Sequence, residues 1–356
     1  MISLMALRRT IGMASSLGAA LALLMTPAPS RADSLQPSDG DGGRQCVSTL
    51  TGPINLPADD SVHPFGQYSF EWYYYSTHLV ADDGREFGFV QIFYTLLDPT
   101  TGAPIQYVDS TITDVRAGSY HFGGRQYSFE APAVIPDAFE FQIGTERARG
   151  GGGHDRVHSV VKDGAESYVV DLELDSLKTP VLHLADGYVN YYSRERMRAE
   201  GSMSFGGQVH HVQGTTWFDH QFGPQLIELS TVQNWTWIAA ELTDDHELLA
   251  LVVNRQDGTQ LVIGSYTDEN CETTQLGAGD FAITALGTWA ASASCVYPQG
   301  WNVTVPSKHL DLEVQPLVAD QDILVPGQDH YYEGDSSVRG SAHGSAYVEL
   351  YGFCAP

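Results

Sequence analysis

The chain has 356 residues, with 44 acidic against 18 basic side chains and a net charge of −26. So acidic a surface repels nucleic acid and anionic lipid and excludes both as partners. The length exceeds what one core usually fills, so two domains are the starting expectation.

The first residues read as a targeting segment. Arg8 and Arg9 precede a mostly apolar run over residues 11–25, and Ser30-Arg31-Ala32 offers small residues for cleavage. This is the pattern of a secretory signal peptide over residues 1–32. The run is short for a membrane span and ends at Pro27 and Pro29, so no stable membrane insertion is expected after cleavage. The arginine pair also suits twin-arginine export. Residues 33–45, rich in Ser, Asp and Gly, read as a disordered leader.

Four cysteines remain, Cys46, Cys271, Cys295 and Cys354. An even number in an exported chain points to two disulfides. Three pairings are open. The expected one is Cys271 with Cys295 as a local loop and Cys46 with Cys354 as a tie between the chain ends. No two cysteines have zinc-type spacing, and no metal or cofactor is expected.

From there the pattern is strand and turn. The segment 69–79 (SFEWYYYSTHL) packs five aromatics and a glutamate into one run, and 87–96 (FGFVQIFYTL) is apolar without helical spacing. Residues 168–174 (YVVDLEL) alternate with period two, and 248–253 and 309–314 are further strands. Asp83-Gly84, Gly123-Gly124, Gly206-Gly207 and Asp257-Gly258 read as hairpin turns. Four consecutive glycines at 150–153 lack any phosphate-loop context and read as a flexible loop. The 36 glycines, 18 tyrosines and missing helical stripes fit an all-β protein of barrels or sandwiches. The stretch 187–193 (GYVNYYS) echoes 70–76 (FEWYYYS), which suggests a duplicated barrel and a boundary near Tyr191.

Strand alternation sorts the candidate site residues onto faces. Glu71, Tyr73 and Tyr75 share one face of the opening strand, and Trp72 lies on the other. In 214–223 (GTTWFDHQFG), Trp217, Asp219 and Gln221 point one way and Phe218, His220 and Phe222 the other. Trp235 and Trp237 share a face in 234–241 (NWTWIAAE). Such a wall suits a lipophilic small molecule positioned by a few polar contacts. A carboxylate in apolar surroundings stays protonated to higher pH, which makes Asp219 the candidate acid. Each residue has a plainer reading: Trp235 and Trp237 as core, Glu71 as a loop cap or arginine partner. His220, next to Asp219 in the strand, serves the same pocket only if the strand is bulged there. There is no GxSxG, HExxH or CxxC, so hydrolase and metalloprotease motifs are absent.

These residues resemble a known family. Glu71-Trp72-Tyr73-Tyr74 with His78-Leu79 and residues 83–88 is similar to the opening signature of the two-domain, lipocalin-like proteins grouped with carotenoid 1,2-hydratase (hydroxyneurosporene synthase). Residues 214–223 resemble its second signature, Trp235-Thr236-Trp237-Ile238 with Glu241-Leu242 the strand after it, and 331–334 with 344–352 its C-terminal hairpin. The resemblance spans residues 68–353. Two departures stand out: Tyr73 takes the place of a common second tryptophan, and 219–222 differs from the usual acidic version.

The resemblance implies two consecutive lipocalin-like antiparallel β-barrels, here 46–193 and 194–356, with a ligand pocket at or near their junction. The family includes kievitone hydratase and lipocalin-like Diels–Alderases. The expected activity is therefore acid-catalysed hydration of a C=C bond in an isoprenoid or polyene, by a secreted or periplasmic enzyme. Asp219 is its acid, and Glu71 or His220 its base. Trp72, Tyr73, Tyr75, Trp217, Gln221, Trp235 and Trp237 are its substrate-binding residues. A pericyclase and a non-catalytic carrier of lipophilic ligands are the alternatives.

Overall fold

In a computed structural model the described residues are 46, 53–98, 100–183, 189–223, 231–292, 294–325 and 330–354. The expected signal peptide and leader lie outside them. Twelve strands make a first antiparallel sheet: β1 (Phe70–Ala81), β2 (Glu86–Leu97), β3 (Pro104–Asp114), β4 (Ser119–Phe122), β5 (Gln126–Ser128), β6 (Phe139–Ile143), β7 (Glu146–Gly151), β8 (His154–Asp163), β9 (Glu166–Ser176), β10 (Val181–Leu182), β11 (Asn190–Phe205) and β12 (Gln208–Gly223). Ten make a second: β13 (Val232–Leu242), β14 (Glu247–Arg255), β15 (Gln260–Thr267), β16 (Thr273–Leu276), β17 (Ala282–Ala290), β18 (Val296–Val305), β19 (Leu310–Pro316), β20 (Asp322–Ile323), β21 (Tyr331–Gly340) and β22 (Gly344–Tyr351). The chain is all-β, and its two sheets curl as two lipocalin-like barrels.

Turn chemistry sets the hairpins. Gly206 and Gly207, at φ 57° and 76°, supply the two positive φ values that a tight β11–β12 turn requires. The glycine run at 150–153 is no free loop: it ends β7 and turns the chain into β8. The expected boundary at residues 193/194 is also corrected. Strands β11 and β12 belong to the first sheet, with β12 pairing along all of β1, so the change of sheet falls between Gly223 and Val232. The aromatic echo misled because its described residues 190–193 open a strand that closes the first barrel instead of starting the second.

Each sheet wraps its own core, and a third apolar layer lies between the sheets. Phe87, Phe89, Tyr73, Tyr75 and Phe218 fill the first barrel, and Trp301, Tyr297 and Tyr332 the second. Buried Glu146 stitches the first barrel internally, accepting from Gln91 at 2.9 Å, Ser110 at 2.7 Å and the Val160 N–H at 2.9 Å. The intervening layer joins Tyr74, Val90, Ile92, Tyr191 and Trp217 of the first sheet to Trp237, Leu249, Leu251 and Tyr347 of the second. The sheets approach so closely at Gly88 that a Cβ there would lie 2.5 Å from the Tyr347 hydroxyl and 2.6 Å from an Asp335 carboxylate oxygen.

One end of the layer is locked by charge. Lys178, buried between β9 and β10, donates to Glu247 Oε2 at 2.6 Å, to the Asp268 carbonyl at 3.0 Å and to the Asp245 carbonyl. Arg196 of β11 takes the other Glu247 oxygen at 2.5 Å. Both cations come from the first-barrel side and the carboxylate from β14, so one acid clamps the two sheets. Removing one partner of a buried pair strands the other's charge. Lys178→Ala should therefore lower unfolding stability by about 3–5 kcal/mol in urea titrations. A loss below 1 kcal/mol would show that water satisfies Glu247 instead.

The cysteines form two disulfides, but not as expected: Cys46 pairs with Cys271 and Cys295 with Cys354. Cys295 and Cys354 lie on an antiparallel bridge that brings the C-terminus to the start of β18, which leaves Cys271 for the N-terminal segment. Sequence proximity gave the wrong partner because sheet neighbours are distant in sequence. Non-reducing peptide mapping should recover these two linked pairs. The double change Cys295→Ser/Cys354→Ser, opening a 59-residue separation, should cost about 4 kcal/mol in the chain-entropy model.

Candidate functional site

Strands β1 and β12 are buried on both faces, and their register sorts the ionisable groups. Glu71 pairs with Phe222, Tyr73 with His220 and Tyr75 with Phe218, all facing the first barrel's interior. Trp72 pairs with Gln221, Tyr74 with Asp219 and Ser76 with Trp217, on the face toward the second sheet. The register runs unbroken through this stretch; the irregularity lies in β11, between Arg194 and Met197. Asp219 and His220 thus serve opposite faces. The expectation that Asp219 shares a pocket with Glu71 is corrected: the opening strand brings Tyr74 to Asp219, and Glu71 points away.

On the inter-sheet face Asp219 is buried and accepts from three side chains. Tyr191 donates to Oδ2 at 2.6 Å, the Trp217 indole N–H to Oδ1 at 2.7 Å, and Ser193 also to Oδ1. Trp237 donates to the Tyr191 hydroxyl at 3.1 Å and stands edge-on to Tyr74 at 5.3 Å and Trp217 at 6.3 Å. Burial pushes the Asp219 carboxyl up to about 6, against the pull of those three hydrogen bonds. Across the layer, Glu333 accepts from Tyr74 at 2.8 Å, and its register partner Glu349 accepts from Trp235 at 3.1 Å. Burial raises both, Glu349 to about 7; Asp219 raises each of them further, and Glu349 also raises Glu333. Among the described residues, the remaining Glu333 oxygen has no hydrogen-bond partner.

One end of this layer stays partly open. Trp72, Tyr94, Gln221, Trp235, Glu349 and Tyr351 are half-buried, with Trp235 stacked on Tyr351 at 4.3 Å. Behind Asp219, His183 contacts the Ser193 hydroxyl through Nε2 at 2.6 Å, and burial pushes its imidazole down to about 3, so the ring is neutral. Aromatic walls, carboxyl groups that keep their protons to higher pH and an accessible rim are what proton delivery to an apolar molecule needs.

The barrel-interior face carries a separate polar cluster. Glu71 accepts from His63 Nδ1 at 2.7 Å and His220 Nε2 at 2.8 Å, and His220 stacks on Tyr73 at 4.0 Å. Burial alone would raise the Glu71 carboxyl, but the hydrogen bonds from His220 and His63 outweigh it and hold it below the usual range. Beside it Asp60 takes the Tyr192 hydroxyl at 2.6 Å and Arg194 at 2.9 Å, and Tyr75 donates to Asp155 at 3.1 Å. The ligating atoms of His63, Glu71 and His220 lie within 4.8 Å of one another, as do those of the more exposed set Asp82, Asp83 and His210.

The structure thus gathers Asp219, Trp72, Trp217, Gln221, Trp235 and Trp237 in the inter-sheet layer, and Glu71, His220, Tyr73 and Tyr75 inside the first barrel. Sequence reasoning missed Tyr74, His183, Tyr191, Ser193, Glu333 and Glu349. Glu333 and Glu349 carry the signal that singled out Glu71, an acid embedded in dense aromatic strand (YYEG and YVELY).

The Asp219 carboxyl has a testable signature. Its folded value lies above the ordinary carboxylate value, so the fold favours the protonated form. The cost of ionising it is absent below about pH 4 and fully present above about pH 6, a loss of about 3 kcal/mol across that window. Asp219→Asn cannot titrate, so its stability relative to the parent should improve by about that amount from pH 4 to pH 7 in urea titrations. Parallel pH profiles would show that the group is not raised.

Comparison with known proteins supplies the family. The model of the family described as AttH-like matches residues 48–353. Comparison with curated proteins finds no match. The crystal structure of a protein described as AttH from Nitrosomonas europaea is 18% identical, with a TM-score of 0.74 over 86% of this chain and 100% of that one. Kievitone hydratase from Nectria haematococca is 16% identical, with a TM-score of 0.66 over 87% of this chain and 95% of that one. At such identities the two structures show a shared fold and no more. The family match covers almost all of the described chain, and the protein belongs to the AttH-like family.

Proposed function

We propose that the protein is an exported enzyme that hydrates a C=C bond of a lipophilic isoprenoid or polyene substrate in the inter-sheet layer. The observation that carries this reading is Asp219. It is a buried acid held near neutrality by its surroundings, edged by indoles and phenols, with no lysine or arginine among the causes of its shift. An unactivated alkene reacts with water only after protonation, and an acid in a dry aromatic site is suited to that step. The Asp219 O–H proton goes to one alkene carbon. The positive charge left on the other faces the ring systems of Trp237, Trp217 and Tyr74. Water adds to that carbon, and its surplus proton passes to a carboxylate, Asp219 itself or Glu349. Glu71 and His220, on the other side of the sheet, take no part in this step.

The hydratase of the same fold agrees with the reading. The two disulfides and the signal-like N-terminus support export to an oxidising compartment. Among the described residues no helix is long and apolar enough to cross a membrane.

The test begins with mass spectrometry of lipophilic molecules co-purified with the exported protein, followed by assays of that class in isotopically labelled water. Hydration should incorporate the label. Asp219→Asn should keep ligand binding and lower turnover at least about 10²-fold. Retained turnover without label uptake would instead support a pericyclase, which needs shape more than an acid. Unchanged release of bound ligand by the parent protein would support a carrier.

A further inference from the structure

The His63–Glu71–His220 cluster lies on the opposite face of β1 and β12 from the proposed reaction site, and its ligating atoms are close enough together to hold one cation. His63 Nδ1 and His220 Nε2 converge on the same oxygen, Glu71 Oε1, at 2.7 and 2.8 Å. Each ring's other nitrogen meets an acceptor. His63 Nε2 faces the Asp59 carboxylate at 3.4 Å. His220 Nδ1 faces the Tyr192 oxygen at 3.3 Å, and the Tyr192 hydrogen is directed to Asp60 Oδ1 at 2.6 Å. The near contacts are the shorter ones, so without an ion the near nitrogens donate to Glu71; a cation that displaces those protons leaves each far nitrogen to donate to the acceptor it already faces.

We propose that His63, Glu71 and His220 form a binding site for a divalent first-row transition cation, with zinc as the reference ion. Two imidazoles and one carboxylate are a common zinc donor set that leaves a position open for water. The partners beyond the ligands are those such a site uses: Asp59 orients His63, and Tyr192 orients His220. The His63 backbone N–H anchors the second Glu71 oxygen at 3.1 Å. Phe222, 3.9 Å from the His63 ring, and Tyr68, 5.0 Å from it, give an apolar surround, and the His63 side chain keeps 11% exposure as a way in. Tetrahedral zinc with ligands at about 2.0–2.1 Å sets them about 3.3 Å apart, so they need to spread by only about half an ångström. Sequence spacing hides this set, because its members come from the segment before β1, from β1 and from β12.

The experiment is metal titration of the exported, chelator-treated protein, with zinc followed by calorimetry and cobalt(II) by visible absorption. One site per chain is expected, with cobalt bands of low-coordinate character. His63→Ala and Glu71→Gln should each weaken zinc binding at least about 100-fold, and Asp59→Asn about 10–100-fold. His210→Ala and Asp219→Asn should leave it unchanged. His63 lies outside any strand, so its variant decides the matter even if Glu71→Gln disturbs folding; circular dichroism monitors both. Zinc binding by the parent no tighter than by His63→Ala, or binding lost in His210→Ala, would overturn the proposal. Neither result bears on Asp219, so this proposal and the hydration reading stand or fall separately.

Discussion

The antiparallel pairing of β1 with β12 is the constraint on which everything else rests. It runs for twelve residue pairs from Phe70↔Gly223 to Ala81↔Val212. It joins a strand near the start of the chain to one more than a hundred residues later, and so closes the first barrel. Both faces of the pair are covered. One lines the barrel core with Tyr73, Tyr75, Phe218 and Phe222, and the other meets the second sheet through Tyr74 and Trp217. A slip of one residue would exchange the two faces, moving Asp219 into the barrel and Glu71 against the second sheet. Register here is a matter of chemistry as well as stability.

The charges in this interior fall into two kinds. Glu247 sits between Lys178 and Arg196, whose charges pull against a burial that raises its carboxyl to about 8, and it fastens the sheets together. Asp219, Glu333 and Glu349 have hydroxyl or indole donors for partners and are raised chiefly by burial, with Asp219 raising both glutamates further. Removing charged groups from water costs more than neutral donors return, so these carboxyls keep their protons to higher pH than exposed ones do, Asp219 to about 6 and Glu349 to about 7. A fold gains nothing in stability from three such groups in one layer, which is why the layer reads as a site.

The two faces of one strand pair thus offer different chemistry at short range. The inter-sheet face concentrates acid and aromatic surface. The barrel face pairs carboxylates with imidazole and guanidinium: Glu71 with His63 and His220, Asp60 with Arg194. The hydrogen-bonded backbone between them leaves no direct side-chain route from Asp219 to His220. The same two strands in this way build an acid-rich aromatic surface and an imidazole–carboxylate cluster while keeping the two apart.

Much of this was legible in the sequence. Period-two runs and paired glycines marked strands and turns because alternation and positive φ are local demands. The same alternation placed Trp217 with Asp219, and Glu71 with Tyr73 and Tyr75, on the faces where they lie. Tertiary structure alone decided which faces meet. The sequence around Tyr191 looks like the start of a second barrel, yet residues 190–193 open β11, because pairing with β12 depends on hydrogen-bond partners that no local pattern encodes. Cys295 joins Cys354 rather than Cys271 for the same reason. Glu333 and Glu349 reach Asp219, and His63 reaches His220, only through contacts between elements remote in the chain. Side-chain direction is set within two residues and is written in the sequence. The partner across a sheet or a layer is set by long-range packing and appears only in the fold.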